Sequence, residues 1–529
     1  MKIGKIIMSV LLAGFLLVAA GAANAATRNI YIYGCSAQFF LWSSEAPIFL
    51  ADATNGAGCN DVQYAFDTTG TTYFFATGSS CTNFDNDTIN ISVGYKTSND
   101  AIWSVMGVAD PENTSACPVD SSTGLYDQRK MATGFISGSC TSSPSGNCTN
   151  TPTCETITLG ASDEKANWFT QVSHGKKYGP CDPVSGACST SANTMVTRCF
   201  GNTTGYCLGT STHNEPMPND ADLAWYNPIA DPTAFYVNKA VTEQTCVGGT
   251  NAGDMCNPSD TPSDCPGGAC GPATTITNIS RMMAAQIFTG QVQNWQDFGL
   301  GFANLPVWAC MRHTGAGTNI TFDYAVLGQD HNWLPTGAAM SNTDSGLTGI
   351  TAPQTWFYDT IATQLDCVNG IVDNPSAAAG FSAIGAIGYT DADRSTSLAS
   401  QTAMVNYNGV QPSRRNIRNG LYDFWSKNYL YYNPTGLNCP PPTDPNLMGC
   451  STGEGTNHQV FDKLVTYASN PQQITNLTTG KGNFWAALGP GSSSNVPGAL
   501  VIPPGEMYYM KSVADVLPGP VNATNPVNP

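Results

Sequence analysis

The chain has 529 residues, which is long enough for two domains, yet only 11 % are charged and the net charge is −17. That balance excludes nucleic acid as a partner, because nucleic-acid sites need basic grooves. It also repels anions at long range, so an anion site here must rest on local hydrogen-bond donors.

Taken in chain order, Met1–Lys5 carries two lysines and Ile6–Ala20 is almost wholly apolar, ending at Ala23-Asn24-Ala25. This is the pattern of a cleavable export leader over residues 1–25, with no cysteine following it to take a lipid anchor. No later run is long enough for a membrane helix, so no membrane insertion is expected. The predicted address is periplasmic or extracellular. Nineteen cysteines fit an oxidising compartment, and the odd count leaves at least one free or joined to another chain. Cys246, Cys256, Cys265 and Cys270 have the look of a disulfide-stapled loop, and Cys439 with Cys450 of a local pair.

Asn29–Tyr33 predicts a first strand ending at Gly34, followed by a helix over Phe39–Ala51. Residues 107–153 and 174–230 are turn-rich, cysteine-bearing insertions. Between them, Glu155–Leu159 predicts a strand leading through Gly160-Ala161-Ser162-Asp163 into a helical stretch. Thr233–Val237 is a buried strand. Ile279, Met283 and Ile287 repeat at helical spacing, which predicts a helix over 280–289 with Ser280 as its cap and Met282 and Met283 in the core. Leu305–Met311 is a strand, Asn319–Leu327 a helix, and Ala383–Tyr389 an apolar strand. Alternating strands and helices define an α/β protein with mixed, mostly parallel sheets. The tail from Pro518 is expected to lack structure.

Three turns have the chemistry of an oxyanion site. Arg312-His313-Thr314-Gly315-Ala316-Gly317-Thr318 joins a strand to a helix, where exposed N–H groups favour an anion and a guanidinium can grip two oxygens. In the second, Asp163 fits either a helix cap or an acceptor for a ligand's proton, which would select protonated oxyanions. Gly34-Cys35-Ser36-Ala37-Gln38-Phe39 is the third, with Thr97-Ser98-Asn99 as a further candidate. Singly, each is ordinary turn chemistry.

Together they resemble the phosphate-binding proteins of ABC importers, members of the type II periplasmic binding protein fold. Gly160–Asp163 matches that family's G-A-S-D. Ile287–Trp295 matches its I-F-x-G-x-I-x-x-W, Arg312–Thr318 its R-x-D-G-S-G-T, and Gly385–Tyr389 its G-A-I-G-Y. The resemblance implies two lobes. The first would take 27–234 and 423–529, interrupted by the Cys-rich insertions at about 107–153 and 174–230; the second would take 235–422. Phosphate or a related oxyanion would lie in the cleft, and an ABC permease would be the partner. The implied ligand-binding residues are Arg312, Asp163, Gly315, Ala316, Gly317, Thr318, Gln38, Phe39, Thr97 and Ser98.

Two departures stand inside the anion loop: Thr314 replaces the family's aspartate and Ala316 its serine. Each lost hydrogen bond to a charged ligand costs about 1.5–3 kcal/mol, so phosphate affinity falls by roughly one to three decades. The five histidines are scattered and no H-E-x-x-H, G-x-S-x-G or C-x-x-C occurs, so no catalysis, metal or cofactor is expected. Two readings remain open. One is a solute-binding protein for ABC-type uptake; the other is an extracellular surface or matrix protein that keeps the fold with lost or altered binding.

Overall fold

A computed structural model of the protein describes residues 25–67, 72–108, 117–121, 124–136, 149–169, 201–202, 205–206, 220–288, 291–292, 294–312, 316–327, 354–358, 361–370, 383–392, 400–434, 456–470, 509–510 and 519–520. The leader before Ala25, part of the first insertion, most of the second and the Cys439–Cys450 pair lie outside them.

Two seven-stranded sheets dominate. Counting only their strands, in chain order, the first sheet contains β1 (Thr27–Gly34), β2 (Asn60–Phe66), β3 (Tyr73–Cys81), β4 (Asp87–Tyr95), β5 (Leu159–Ser162) and β6 (Ala224–Tyr226). The second contains β7 (Ala230–Asn238), β8 (Asn278–Ile279), β9 (Trp308–Arg312), β10 (Gln354–Tyr358), β11 (Ala386–Asp391), β12 (Thr402–Tyr407) and β13 (Trp425–Lys427). The last strand, β14 (Tyr429–Tyr432), returns to the first sheet. The orders are β6-β14-β5-β1-β4-β3-β2 and β8-β12-β7-β11-β9-β10, with β13 beside β7.

The sheets are mixed, with a smaller parallel share than strand–helix alternation implies. Five pairings are parallel (β1 with β4 and β5, β9 with β10 and β11, β8 with β12). Seven are antiparallel, because β2-β3-β4 is a meander and the strands that cross between sheets run back on themselves. The crossing is doubled. The chain leaves β6 at Tyr226 for β7, and returns from β13 to β14 through Asn428, whose N–H donates to Ile229 O at 2.9 Å. Asn227 Nδ2 donates to Asn428 O at 3.0 Å, so the two crossings are bonded to each other. This is the two-lobed α/β architecture of a periplasmic binding protein.

Each sheet has its own apolar core. Trp42 and Phe49 pack with Ile30 and Ile91 in the first, and Trp295, Trp308 and Trp425 with Phe322 in the second. The first core is covered by helix α1 (Ser36–Ala51), buried along nearly its whole length, with Phe49 set edge-on to Tyr467 of a late helix at 5.6 Å. A third cluster joins residues of both lobes, among them Trp103, Tyr429 and Tyr431 with Ile320 and Tyr324.

Several sequence expectations shift. Helix α1 starts three residues early, at Ser36. Thr153–Thr156 pairs with Gln128–Met131 in a separate ribbon, so the sheet strand begins only at Leu159 and holds Gly160–Ser162 within it. A short 3-10 turn, Ala166–Trp168, follows instead of a helix. Small residues explain the close fit there: a Cβ on Gly160 would lie 2.4 Å from Ala101 O in helix α2 (Ser98–Met106). Ser280 caps helix α3 (Arg281–Phe288) through the Met283 N–H, as expected, but Met282 is 67 % exposed and only Met283 packs on the core. Residues 317–327 form helix α4 (Gly317–Phe322) running into a π turn, Asp323–Leu327. Ala383–Gly385 is a 3-10 turn before β11. In the tail, Gly519–Pro520 pairs with Tyr509–Met510, where no structure was expected.

Disulfides brace both the cores and the outlying loops. Cys246–Cys265 and Cys256–Cys270 close the expected loop, and Cys59–Cys81, Cys117–Cys154 and Cys310–Cys367 add three further bridges. Among the described residues Cys35 is the free cysteine.

The start of helix α2 is held by a buried ion pair. Arg129 Nε and Nη2 donate to Asp100 Oδ1 at 3.0 and 2.9 Å, and Tyr33 OH donates to Oδ2 at 2.8 Å. Asp100→Ala leaves a buried guanidinium without its counter-charge, so we expect a loss of about 3–5 kcal/mol in urea unfolding. A loss below about 1 kcal/mol would show that the carbonyls around Arg129 suffice on their own.

Candidate functional site

The strand ends of both sheets bring five loops together where the lobes meet. From the first lobe come the end of β5 with Asp163 and Glu164, the start of α2 with Thr97 and Ser98, and the end of β1 with Cys35. From the second come Arg312 at the end of β9, the start of α4, and Asp391 at the end of β11. Ligands of open α/β sheets lie at such strand ends.

Direct contact crosses the gap. A Cβ built on Gly317 would sit 2.4 Å from Asp163 Cβ and 2.6 Å from Ser98 Oγ, so the backbone of one lobe lies on the side chains of the other. Thr321 Oγ1 donates to Glu164 Oε1 at 2.6 Å, and Trp168 stacks on Tyr324 with centroids 4.7 Å apart. The lobes are closed on each other.

Asp163 is the centre of this arrangement and only 5 % exposed. Ser98 Oγ donates to its Oδ2 and accepts from its backbone N–H, both at 3.2 Å, while Oδ1 has no hydrogen-bond partner among the described residues. Burial, and then the nearby Asp391 carboxylate, push the Asp163 carboxyl up to about 7, against the opposing effects of Cys35, Ser98 and Arg312. Arg312, 3 % exposed, therefore lies within electrostatic reach of Asp163. Its carbonyl accepts from Asn319 Nδ2 at 2.8 Å, and that amide also donates to Tyr389 OH at 3.1 Å, which ties the arginine to α4 and β11. The hydroxyl of Thr318 is buried with no hydrogen-bond partner among the described residues. The N–H groups of Gly317 and Thr318 stand in the first turn of α4, where a helix supplies no intrahelical acceptor.

The structure thus brings together Asp163, Ser98, Arg312, Gly317 and Thr318, with Ala316 buried at the cap position of α4. Gly315 lies outside the described residues, as do His313 and Thr314. Three other sequence candidates are occupied elsewhere. Gln38 Nε2 donates to Ser162 O and Tyr429 O at 3.0 Å each, and its Oε1 accepts from Trp42 Nε1, so this side chain braces the lobe interior. The Phe39 N–H donates to Cys35 O inside α1. Thr97 caps α2, accepting from the Asp100 N–H and donating to Asn99 Oδ1. The early start of α1 and the cap at Thr97 account for all three.

Sequence reasoning gave Cys35 and Tyr389 no role beyond membership of a turn and a strand motif, and missed Asp231, Asn319 and Asp391. Asp391 is the one with a signal: it follows Gly385–Tyr389 by two residues and closes a strand end. Asp231 reaches the site through the crossing strand β7, near enough to help raise the Cys35 thiol after burial and Asp163 have done so. Asp391 therefore acts on Asp163, and Asp163 and Asp231 on Cys35, with Arg312 in reach of Asp163, a more negative setting than the anion loop alone suggests.

Two seven-stranded α/β sheets are joined by a double crossing, with polar strand ends facing across the join. Residues 246–443 match the family model of the PBP superfamily domain. No curated protein matches the sequence. Among solved structures, a DING protein is similar at 11 % identity over 88 % of this chain and 96 % of its own, with a TM-score of 0.38. A putative phosphate ABC transporter substrate-binding protein with bound phosphate, from Clostridium perfringens, is similar at 10 % identity over 85 % and 96 %, TM-score 0.35. A phosphate binding protein from Stenotrophomonas maltophilia is similar at 13 % identity over 78 % and 79 %, TM-score 0.30. No helix among the described residues is long and apolar enough to cross a membrane.

Proposed function

We propose that the protein is an exported, non-enzymatic solute-binding protein that holds phosphate or a related oxyanion between lobes divided near residues 234 and 422, for ABC-type uptake. The observation that carries this is the meeting of Gly317 with Asp163 and Ser98 across the lobes, within the field of Arg312. Arg312 supplies the positive charge. Thr318 Oγ1 and the first amides of α4 supply donors, and Asp163 Oδ1 is an acceptor awaiting a proton. A carboxyl in that position takes a ligand carrying one proton and repels a fully ionised one.

Equilibrium dialysis with labelled phosphate tests the reading. Uptake should approach one per chain, and Arg312→Ala should weaken it by roughly a hundredfold or more, since a charge-assisted bidentate contact is lost. Affinity should hold or rise as pH passes up through the Asp163 range, because the ionised carboxylate is the form that accepts the ligand's proton. Unaltered uptake in Arg312→Ala would move the site elsewhere.

One observation favours the second reading, an extracellular protein with altered binding. Asp231 and Asp391 add negative charge beside Asp163. No uptake of phosphate, arsenate, sulfate or molybdate in the same dialysis would decide for it.

A further inference from the structure

Cys35 stands in the site, although nothing in the anion motifs points to it. It is the N-cap of α1, 3 % exposed, and its backbone N–H donates to Ala161 O at 2.8 Å, two residues before Asp163. The thiol lies within hydrogen-bonding reach of the Asp163 carboxyl. It belongs to no disulfide, in an export-type chain whose other described cysteines are all paired. Beside it, Asp163 Oδ1 is buried with no hydrogen-bond partner among the described residues, an acceptor left for a ligand.

We infer that the Cys35 thiol is a wall of the oxyanion pocket, so that bound anion and a substituent on this sulfur exclude each other. The inference rests on the oxyanion reading. Its physical basis is space and hydrogen bonding. A group added to the sulfur must occupy the volume next to Asp163, where the ligand's protonated oxygen belongs. The same addition removes the S–H donor and leaves the carboxylate one partner short. With Asp163 and Asp231 facing it, the thiol keeps its proton and reacts slowly in the closed form, so reaction proceeds through the open one.

The test uses the full-length native protein and methyl methanethiosulfonate. The Cys35 sulfur forms an S–S bond to the methylthio group, methanesulfinate leaves with the bonding pair, and the thiol proton passes to solvent. Labelling of Cys35 is read by peptide mass spectrometry, with phosphate binding followed in parallel by dialysis. At phosphate about a hundred times Kd, mass action leaves roughly one site in a hundred empty, so Cys35 labelling should slow by about a hundredfold. Protein labelled beforehand should fail to bind phosphate while keeping its circular dichroism spectrum. In Cys35→Ser, whatever its affinity, phosphate binding should no longer respond to the reagent. If phosphate binds but neither slows labelling nor is excluded by it, the inference falls and the binding reading stands. If the untreated protein takes up no oxyanion, both fall together.

Discussion

Asp163→Asn should make the protein more stable above neutral pH while weakening its hold on a protonated oxyanion. The carboxyl titrates near 3.8 in an unfolded chain and is pushed up to about 7 in the folded one, mainly by burial and then by Asp391. A raised carboxyl favours the native state at low pH. Between these values the unfolded chain has released its proton and the native one has not, so stability is lost as pH rises through the window. The slope is about 1.4 kcal/mol per pH unit, and the full penalty, on the order of a few kcal/mol, is present above pH ~7. Asparagine carries no such penalty. Denaturant titrations at pH 5 and pH 8 check this: the wild-type protein should weaken markedly between them, and the variant much less. Asp323, also pushed up to about 7 by burial, keeps some slope in both. Equal slopes in the two proteins would mean that Asp163 is not held protonated by the fold. Such a residue is costly to keep, which is what a binding function, and not a packing role, explains.

Gly317→Ala should abolish tight oxyanion binding without unfolding either lobe. The added methyl would meet the Cβ of Asp163 at 2.4 Å and Ser98 Oγ at 2.6 Å, against ordinary contacts of 3.4–4 Å. The Asp163 Cβ is fixed to backbone directly after the end of β5 and cannot swing aside as a flexible side-chain tip could, so the lobes must move apart by roughly an ångström. Donors on α4 and the acceptor at Asp163 then cannot engage one ligand together. Losing two such contacts costs about 3–6 kcal/mol, or a hundredfold or more in phosphate affinity. Dialysis measures that loss, and small-angle scattering should show that saturating phosphate no longer holds the variant in the compact form. Unchanged affinity would show that the contact between the lobes is incidental to binding.

The parts of the site that follow local rules were legible in the sequence. Arg312 and Thr318 flank a strand–helix junction whose glycine pattern is written in consecutive residues. Asp163 follows small residues that a packed strand end requires. Gln38 and Phe39 misled because one question, where α1 begins, decides whether a polar residue caps the helix or lies inside it. With the helix starting at Ser36, Gln38 falls on the face that packs against β5 and β14, and its amide serves two carbonyls there. Glu155–Leu159 likewise reads as one strand, but Thr153–Thr156 has a hairpin partner in Gln128–Met131 and the sheet strand starts afresh at Leu159. Asp231, Asn319, Tyr389 and Asp391 could not be grouped from spacing. They meet through the register of β7 against β11, in which Thr233 faces Asp391 and Phe235 faces Tyr389, and register of that kind is a property of the folded sheet. Met282 shows the same limit on a helix: two adjacent methionines read alike, and only the direction of the core tells which is buried.

A double-mutant cycle in phosphate binding is the most direct measurement of whether the two lobes share one anion. Labelled-phosphate dialysis would be run on the wild-type protein, Arg312→Ala, Asp163→Asn and the double variant at one pH and ionic strength. If guanidinium and carboxyl grip the same ligand, the first substitution already forfeits most of what the second could remove. The double variant should then bind far less weakly than the two separate losses multiplied, with a coupling of about 1–3 kcal/mol. Losses that multiply in full, or no loss in either single variant, would contradict a pocket built from both lobes around a small oxygen-rich anion.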